Sequence, residues 1–267
     1  MTLSAYWKSR NSSVQLLGIS NTTSLKCRLL HVTLAKDTVA TKIIKKVTPL
    51  FALVLLLFST LTPASQHHKL KLEGWNVYIE QKLVDKNDIR VFLAMRLLSE
   101  KLREIKTLLP SDTIKQLETV PIFFSENKEF NAEYYFFEPY VYRTGKDIKM
   151  MNGIEFRSIS FFIEESKYSP MLLLHEMAHA YHKMNYRRID KMVMRAYRHA
   201  ETKHLYQNVM SVNNQYTRAY ALQSPFEYFA ELTEAYFGRN NFYPFERNEL
   251  EEYDEMGFEM VKKAWLQ

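Results

Sequence analysis

The chain has 267 residues, a formal net charge of +6 and a single cysteine. Its charge is unevenly spread: residues 1–64 carry eight basic residues and one acidic residue, which leaves the rest of the chain with a net charge close to −1. The basic isoelectric point therefore does not indicate a nucleic-acid-binding protein, and no nucleic-acid partner is predicted. Because Cys27 lies in the same segment, the rest of the chain has neither disulfides nor a cysteine-ligated metal site.

The amino-terminal segment has the order of features that directs export. A cationic stretch precedes an apolar run at residues 50–61, and small residues follow it. This order predicts a presequence, residues 1–65, with a signal peptide at about 42–65 and a secreted or periplasmic protein. The apolar run is shorter than the roughly 20 residues of a membrane-spanning helix. An uncleaved anchor through residues 47–64 is the alternative, and membrane contact is predicted only in that case.

Residues 66–267 are predicted to form one α+β domain. Alternating or aromatic-rich segments predict strands at 75–80, 120–124, 132–142 and 153–162. Helical periodicity and cap signals predict helices at 88–109, 111–118 (capped by Ser111 or Asp112), 170–185, 190–205, 226–237 and 246–265.

The helix at 170–185 contains the sequence His175-Glu176-Met-Ala-His179. Residues four apart lie on one helical face, so both imidazoles can bind one metal ion while Glu176 reaches a water on that ion. The metzincin pattern is excluded, because His182 and Asn185 stand where it has Gly and His. His182 either lines the cleft or is a histidine at the helix end, near the carboxyl-terminal dipole.

A third metal ligand is expected from the helix at 226–237. This helix carries Glu227, Glu231 and Glu234 on one face. Spacing alone favours Glu227 as the ligand and leaves Glu231 as the second candidate. Two other interpretations stay open: Ser224 and Glu227 match a capping box, and the remaining glutamates match a solvated stripe.

The pairing of this motif with Tyr220-x6-Glu227-Tyr-Phe-Ala-Glu231 resembles the gluzincin arrangement of anthrax lethal-factor-type peptidases. The resemblance implies a zincin-like domain, with a small mixed sheet, an active-site helix and a glutamate-bearing helix. It also implies Glu227 as a zinc ligand, Glu231 as the partner of a ligand histidine, and Tyr220 as the donor to the oxyanion. It does not extend to the docking domains of lethal factor, so that protein's substrate is not implied.

A second resemblance covers most of residues 70–265. It is to a group of poorly characterised secreted bacterial and fungal zincin-like proteins. The segments that carry it are Leu72–Trp75, His175–His182, Arg218–Ala221 and Glu227–Phe245.

These features predict an exported zinc-dependent peptidase that acts on a peptide or protein. Glu176 would take a proton from zinc-bound water and return it to the leaving amine, while Tyr220 donates to the oxyanion. By analogy with zincins, an extended substrate would pair with the strand at 153–162. The alternatives are a secreted or anchored binding protein that keeps a zincin fold without catalysis, and a zinc amidase acting on a cell-envelope amide. The presence of Glu176 favours an enzyme, because a site that only binds metal does not need a base.

Export predicts that the mature amino terminus falls near Ser65 or Gln66. Amino-terminal sequencing of the protein from its native source tests this. An intact start upstream of Lys42 in a membrane fraction would support the anchor instead.

Overall fold

The computed structural model describes residues 67–127, 131–136 and 138–266, apart from the side chains of residues 138, 140 and 142. The predictions of a presequence, a signal peptide and an anchor lie outside the described residues, as does Cys27. Within the described part, no helix is both long enough and apolar enough to cross a membrane.

A five-stranded mixed sheet lies at one side of the domain. Its strands are β1 His67–Leu72, β2 Trp75–Glu80, β3 Ile122–Phe124, β4 Ala132–Tyr134 and β5 Ile154–Phe156, in the order β1-β2-β3-β5-β4. The three inner strands run parallel, whereas β1 and β4 are antiparallel to their neighbours. The predicted strand at 153–162 is therefore wrong as the place for substrate pairing, because β5 lies between β3 and β4, and the edge strands of the described sheet are β1 and β4.

Strand β1 is not predicted by the sequence, and it forms because it is one arm of a hairpin. Only two of its six residues are apolar, and most are partly exposed. The turn to β2 has a positive φ of 48° at Glu73 and of 100° at Gly74. A φ of 100° is a conformation that residues with a Cβ rarely adopt, so glycine is needed at this position.

Ten helices complete the described part of the chain. They are α1 Gln81–Asp85, α2 Ile89–Leu108, α3 Ser111–Leu117, α4 Glu138–Arg143, α5 Ile159–Tyr168, α6 Leu172–Met184, α7 Tyr186–Thr202, α8 Pro225–Phe237, α9 Arg247–Tyr253 and α10 Glu255–Leu266. Short 3-10 helices lie at Ile148–Met150 and Tyr220–Gln223, and a two-stranded ribbon joins β6 Val209–Met210 to β7 Tyr216–Thr217. The α+β class and the predicted helices α2, α6, α7 and α8 are confirmed.

The two faces of the sheet have different environments. One face contributes apolar residues such as Val77, Ile122 and Phe156 to the main core, which the helices complete. The other face carries two buried carboxylates on neighbouring strands, Glu133 and Glu155. Arg157 forms ion pairs with both, and Lys146 lies 2.7 Å from Glu155. These ion pairs tie β4 to β5, so the position of the edge strand is fixed by charge as well as by backbone pairing.

Two predicted strands are too long. Strand β4 stops at Tyr134 and helix α4 begins at Glu138, while β5 stops at Phe156. After β5, the Ser158 side chain accepts a hydrogen bond from the backbone of Phe161 and starts α5. The alternating apolar residues at 154–162 therefore belong partly to a helix, because this cap overrides the strand-like pattern. The predicted cap of α3 is also wrong: Pro110 holds that position, and no side chain caps the helix.

The helix predicted at 246–265 is broken into α9 and α10 at Asp254. This residue has an extended φ of −141° and caps α10 by accepting from the backbone of Gly257 at 2.9 Å. Its buried carboxylate also accepts from the hydroxyls of Tyr206 and Tyr228. Asp254 thus joins α8, α10 and the segment after α7 through a single buried group.

Replacing Asp254 with alanine should lower the free energy of unfolding by about 3 kcal/mol, because two buried tyrosine hydroxyls lose their acceptor and α10 loses its cap. Urea unfolding monitored by circular dichroism measures this. The control is Glu252→Ala, at an exposed position on α9, which should change stability by less than about 0.5 kcal/mol. Equal effects of the two substitutions would contradict the assignment.

Candidate metal centre

Helix α6 presents two histidines into the interior of the domain. Every residue from Leu172 to His182 is buried, so the helix lies in the core rather than on the surface. His175 and His179 are one turn apart, and their ring centroids are 4.8 Å apart in an edge-to-face arrangement. The two imidazoles therefore lie on one face of the helix, as the sequence predicts.

Helix α8 packs along α6 and supplies a carboxylate to both histidines. The Glu227 Oε2 atom lies 3.2 Å from His175 Nε2 and 3.3 Å from His179 Nε2. Ser224 accepts a hydrogen bond from the Glu227 backbone at 3.2 Å. The capping interpretation and the ligand interpretation are thus compatible, because the cap uses the backbone of Glu227 and leaves its side chain for the histidines.

These distances fit a tetrahedral ion. Ligand atoms about 2.0–2.1 Å from a common zinc-sized ion lie about 3.3 Å from one another when the geometry is tetrahedral. The two separations from Glu227 are close to this value. Burial alone would raise the pKa of Glu227, but the neighbouring His179 and His175 outweigh it and hold that pKa well below its usual range. His175, His179 and Glu227 are therefore suited to hold one divalent metal ion.

Glu176 has a buried carboxylate close enough to the same centre to interact electrostatically with His175, His179 and Glu227. Its side chain is 1% exposed, and its Oε2 atom has no hydrogen-bond partner among the described residues. Burial raises the pKa of Glu176 to about 7, with Glu227 and Glu133 adding to the rise while the two imidazoles oppose it. A carboxylate with a pKa near neutrality is suited to accept and return a proton.

The outer nitrogen of His175 is held by Glu234 rather than by Glu231. Glu234 Oε1 lies 2.6 Å from His175 Nδ1. Burial acts to lower the pKa of His175, but the hydrogen bonds to Glu227 and Glu234 outweigh it and raise that pKa well above its usual value. A proton on Nδ1 leaves Nε2 as the atom that faces the centre. The assignment of Glu231 to this role is thus corrected, and Glu234 is not part of a solvated stripe.

Glu231 lies beside this pair as a second buried carboxylate. It is 4% exposed, and its ligand atoms, with those of His175 and Glu234, all lie within 4.8 Å of one another. Burial raises the pKa of Glu231 well above its usual range, Glu234 adds to the rise, and a hydrogen bond from Asn240 opposes it. We interpret these residues as hydrogen-bonded supports rather than a second metal site, because the 2.6 Å separation of His175 from Glu234 is too short for two ligands of one ion.

Tyr220 is brought to the centre by the 3-10 helix at Tyr220–Gln223. Its ring lies 6.5 Å from that of His175, and the residue is 7% exposed. Burial raises the pKa of its phenol, and Glu227 and Glu176 add to the rise. The phenol therefore stays protonated near neutral pH and can act as a hydrogen-bond donor.

His182 is not among the metal-binding groups of the described residues. It is fully buried, its Nε2 lies 3.3 Å from Asp190 Oδ1, and its ring packs against Phe226 at 4.5 Å. Burial lowers the pKa of His182 to about 4, although Asp190 opposes this. His182 is thus a packed, uncharged histidine outside the candidate ligand set.

Sequence reasoning missed three residues of the centre. Asn240, which follows α8, lowers the pKa of Glu231 through a hydrogen bond. Glu133 on β4 raises the pKa of Glu176 through its charge. Neither Asn240 nor Glu133 belongs to a sequence motif with the histidines, so no local signal identifies these two residues. The role of Glu234 could have been found, because it shares a helical face with Glu227.

A scan against models of known protein families and searches of curated proteins and solved structures find no match. The interpretation of the metal centre therefore rests on its own residues and geometry.

Glu234→Ala should lower the affinity for a divalent metal ion by about 10–100-fold, because His175 loses the group that orients it. Glu227→Ala should remove stoichiometric metal, because it removes a ligand. Competition with a chelator measures both variants on one scale. Glu164→Ala on α5 is the control and should leave the affinity unchanged. If Glu227→Ala keeps full metal, the ligand assignment is wrong.

Proposed function

We propose that this protein is an exported zinc-dependent peptidase of the gluzincin type with a zincin-like catalytic domain. The observation that carries the proposal is the position of Glu227 Oε2, 3.2 and 3.3 Å from the inner nitrogens of His175 and His179, beside the buried carboxylate of Glu176. This arrangement combines three ligands with a base.

The ligand set favours zinc. Two imidazoles, which are neutral when they bind a metal, and one carboxylate are nitrogen and oxygen ligands of the kind that catalytic zinc uses, and they leave one position for water. Bound there, zinc would supply a water of pKa near 7 and would polarise a substrate carbonyl. With one anionic ligand, the centre keeps a net charge of +1, which favours that chemistry.

Glu176 is proposed as the general base. Its raised pKa places it close to neutrality, so it can take a proton from the attacking water and return it to the leaving amine. The carboxylate belongs to the same helix as both histidine ligands, so its position relative to the metal is fixed by helix geometry.

Two other side chains support this chemistry. Glu234 accepts a hydrogen bond from His175 Nδ1 and so keeps His175 Nε2 directed at the metal. Tyr220 stays protonated and can donate to the oxyanion that forms at the carbonyl, a contact worth about 2.7–4 kcal/mol in comparable sites. Removing the Tyr220 hydroxyl would therefore reduce turnover more than substrate binding.

The substrate is proposed to bind as an extended chain along β4. This strand is one of the two edge strands of the described sheet, and it packs against α6, which carries the histidines. A peptide that adds to an edge strand gains backbone hydrogen bonds without needing a particular sequence. Among the central residues, His179, Glu227 and Tyr220 are the most exposed, at 7–8%, so the opening of the site lies on their side.

Metal analysis of the protein from residue 66 onward, followed by incubation with a peptide library, tests the proposal. About one zinc per chain and cleavage of peptides are expected. Zinc without cleavage of any peptide, together with an intact Glu176, would favour a binding protein or an amidase. Full zinc in His175→Ala or His179→Ala would show that the metal lies elsewhere.

Glu176→Gln should keep zinc and lose turnover, because it removes the base and not a ligand. In the metal-free protein the same variant should be more stable than wild type above neutral pH. The wild-type pKa rises from 4.5 to about 7 on folding. Wild type therefore loses stability as the pH rises through this window, by up to about 3 kcal/mol. Thermal melts at pH 4 and pH 8 compare the two proteins, and a variant that hydrolyses as well as wild type would refute the mechanism.

A further inference from the structure

Helix α7 carries a narrow stripe of positive charge on its outer face. Arg187, Lys191, Arg195 and Arg198 follow a spacing of four, four and three residues, so they lie along one side of the helix. All four are exposed. At 1.5 Å per residue the stripe is about 17 Å long, close to the length of five residues of an extended chain.

None of the four stripe residues forms an ion pair with a carboxylate of the described part of the chain. Exposed cations on other helices do pair, as Arg96 does with Glu100 and Lys262 with Glu259. The two acids of α7 are directed elsewhere: Asp190 contacts His182, and Glu201 lies close enough to Tyr197 to add to the rise in its pKa that burial causes. Arg195 also lines a surface groove with Glu252 and Glu255 but forms no ion pair with either, so the outer face of α7 carries positive charge that no ion pair of the described residues neutralises.

The stripe is held rigidly in place. The opposite side of α7 is buried in the main core through Ile189, Val193, Ala196, Tyr197 and Ala200. The apolar face of the helix is therefore used by the fold, and only the charged face is available to a partner. A helix that binds in a membrane interface needs a free apolar face, so this arrangement favours a partner that is recognised by charge.

The amino-terminal end of α7 adjoins the metal centre. His182, three residues after the ligand His179, lies 3.3 Å from Asp190 and 6.2 Å in ring centroids from Tyr186. The ring of Phe226, which immediately precedes the ligand Glu227, lies 4.5 Å from that of His182. The amino-terminal end of the stripe therefore lies near His182 and Phe226, which neighbour the candidate ligands in α6 and α8.

We propose that the stripe of Arg187, Lys191, Arg195 and Arg198 is a docking site for an acidic segment of the polypeptide substrate. The inference rests on the proposed peptidase function and adds the class of substrate: a chain with several Asp or Glu residues outside the part that occupies the metal centre. An acidic segment of the substrate that extends beyond the metal centre along the outer face of α7 meets the four cations in sequence. Each exposed contact contributes about a twofold gain in affinity, so all four contribute about 15-fold.

Direct binding tests the stripe without relying on catalysis. The protein is the Glu176→Gln variant, and the probe is a short fluorescent peptide of alternating Glu and Ser. Replacing the four stripe residues with Gln should weaken binding by about 15-fold. Replacing four exposed lysines elsewhere, Lys69, Lys71, Lys86 and Lys149, should change it by less than about twofold. Binding should also weaken near 1 M salt, where the Debye length is about 3 Å.

Cleavage by the active protein gives the second measurement. Two peptides share one cleavable sequence and differ in a tail of Glu or Gln residues. The stripe variant should show a higher KM and an unchanged kcat for the Glu-tailed peptide only. If no peptide is cleaved but the acidic probe still binds through the stripe, the peptidase proposal fails and the docking site stands. Equal binding by the stripe variant and its parent, an equal loss in the control variant, or tighter binding of DNA or anionic vesicles through the stripe would overturn the docking proposal.

Discussion

The structure depends on the packing of α6 against α8, because this contact buries ionisable groups of both helices: His175, Glu176 and His179 of α6, and Glu227, Glu231 and Glu234 of α8. His175 meets Glu227 on one side and Glu234 on the other, and His179 shares Glu227. Such groups are costly to bury unless they are paired. The contacts along the two helices run in opposite order, so the helices are antiparallel. A shift of either helix by one residue would turn these pairs away from one another and leave unpaired buried charge.

The rest of the fold holds these two helices in register. The segment after α8 returns through Asn240, which reaches Glu231, while Asn241 hydrogen-bonds Ser169 just before α6. At the other end of α8, the Ser224 cap fixes the first turn. Asp254 links α8 to α10, because its carboxylate accepts from the Tyr228 hydroxyl and from the backbone of Gly257. These contacts hold the ends of α6 and α8 and the side of α8 that carries Tyr228. The two helices therefore keep the register in which their buried ionisable groups meet.

The same arrangement separates the roles of chemically identical side chains. Four glutamates lie at or next to the centre, and for Glu176, Glu227 and Glu231 the surroundings shift the pKa in different ways. Contact with both imidazoles keeps the pKa of Glu227 low, whereas burial raises the pKa of Glu176 to about 7 against the effect of the same imidazoles. Burial and the neighbouring Glu234 raise the pKa of Glu231. The candidate ligand Glu227, the proposed base Glu176 and the buried Glu231 are therefore distinguished by position and not by residue type.

The sequence by itself determined the helix of His175 and His179, the glutamate helix with its Ser224 cap, and the α+β class, because helical periodicity and caps are local signals. It left Glu227 and Glu231 open as ligands on spacing, and the resemblance favoured Glu227. Only the tertiary structure decided that Glu234 hydrogen-bonds His175, that β4 rather than β5 is an edge strand, and that Asp254 divides the last helix. The reason is physical: these outcomes depend on which distant groups meet in the interior, and a residue's spacing along its own helix does not specify its neighbour on another.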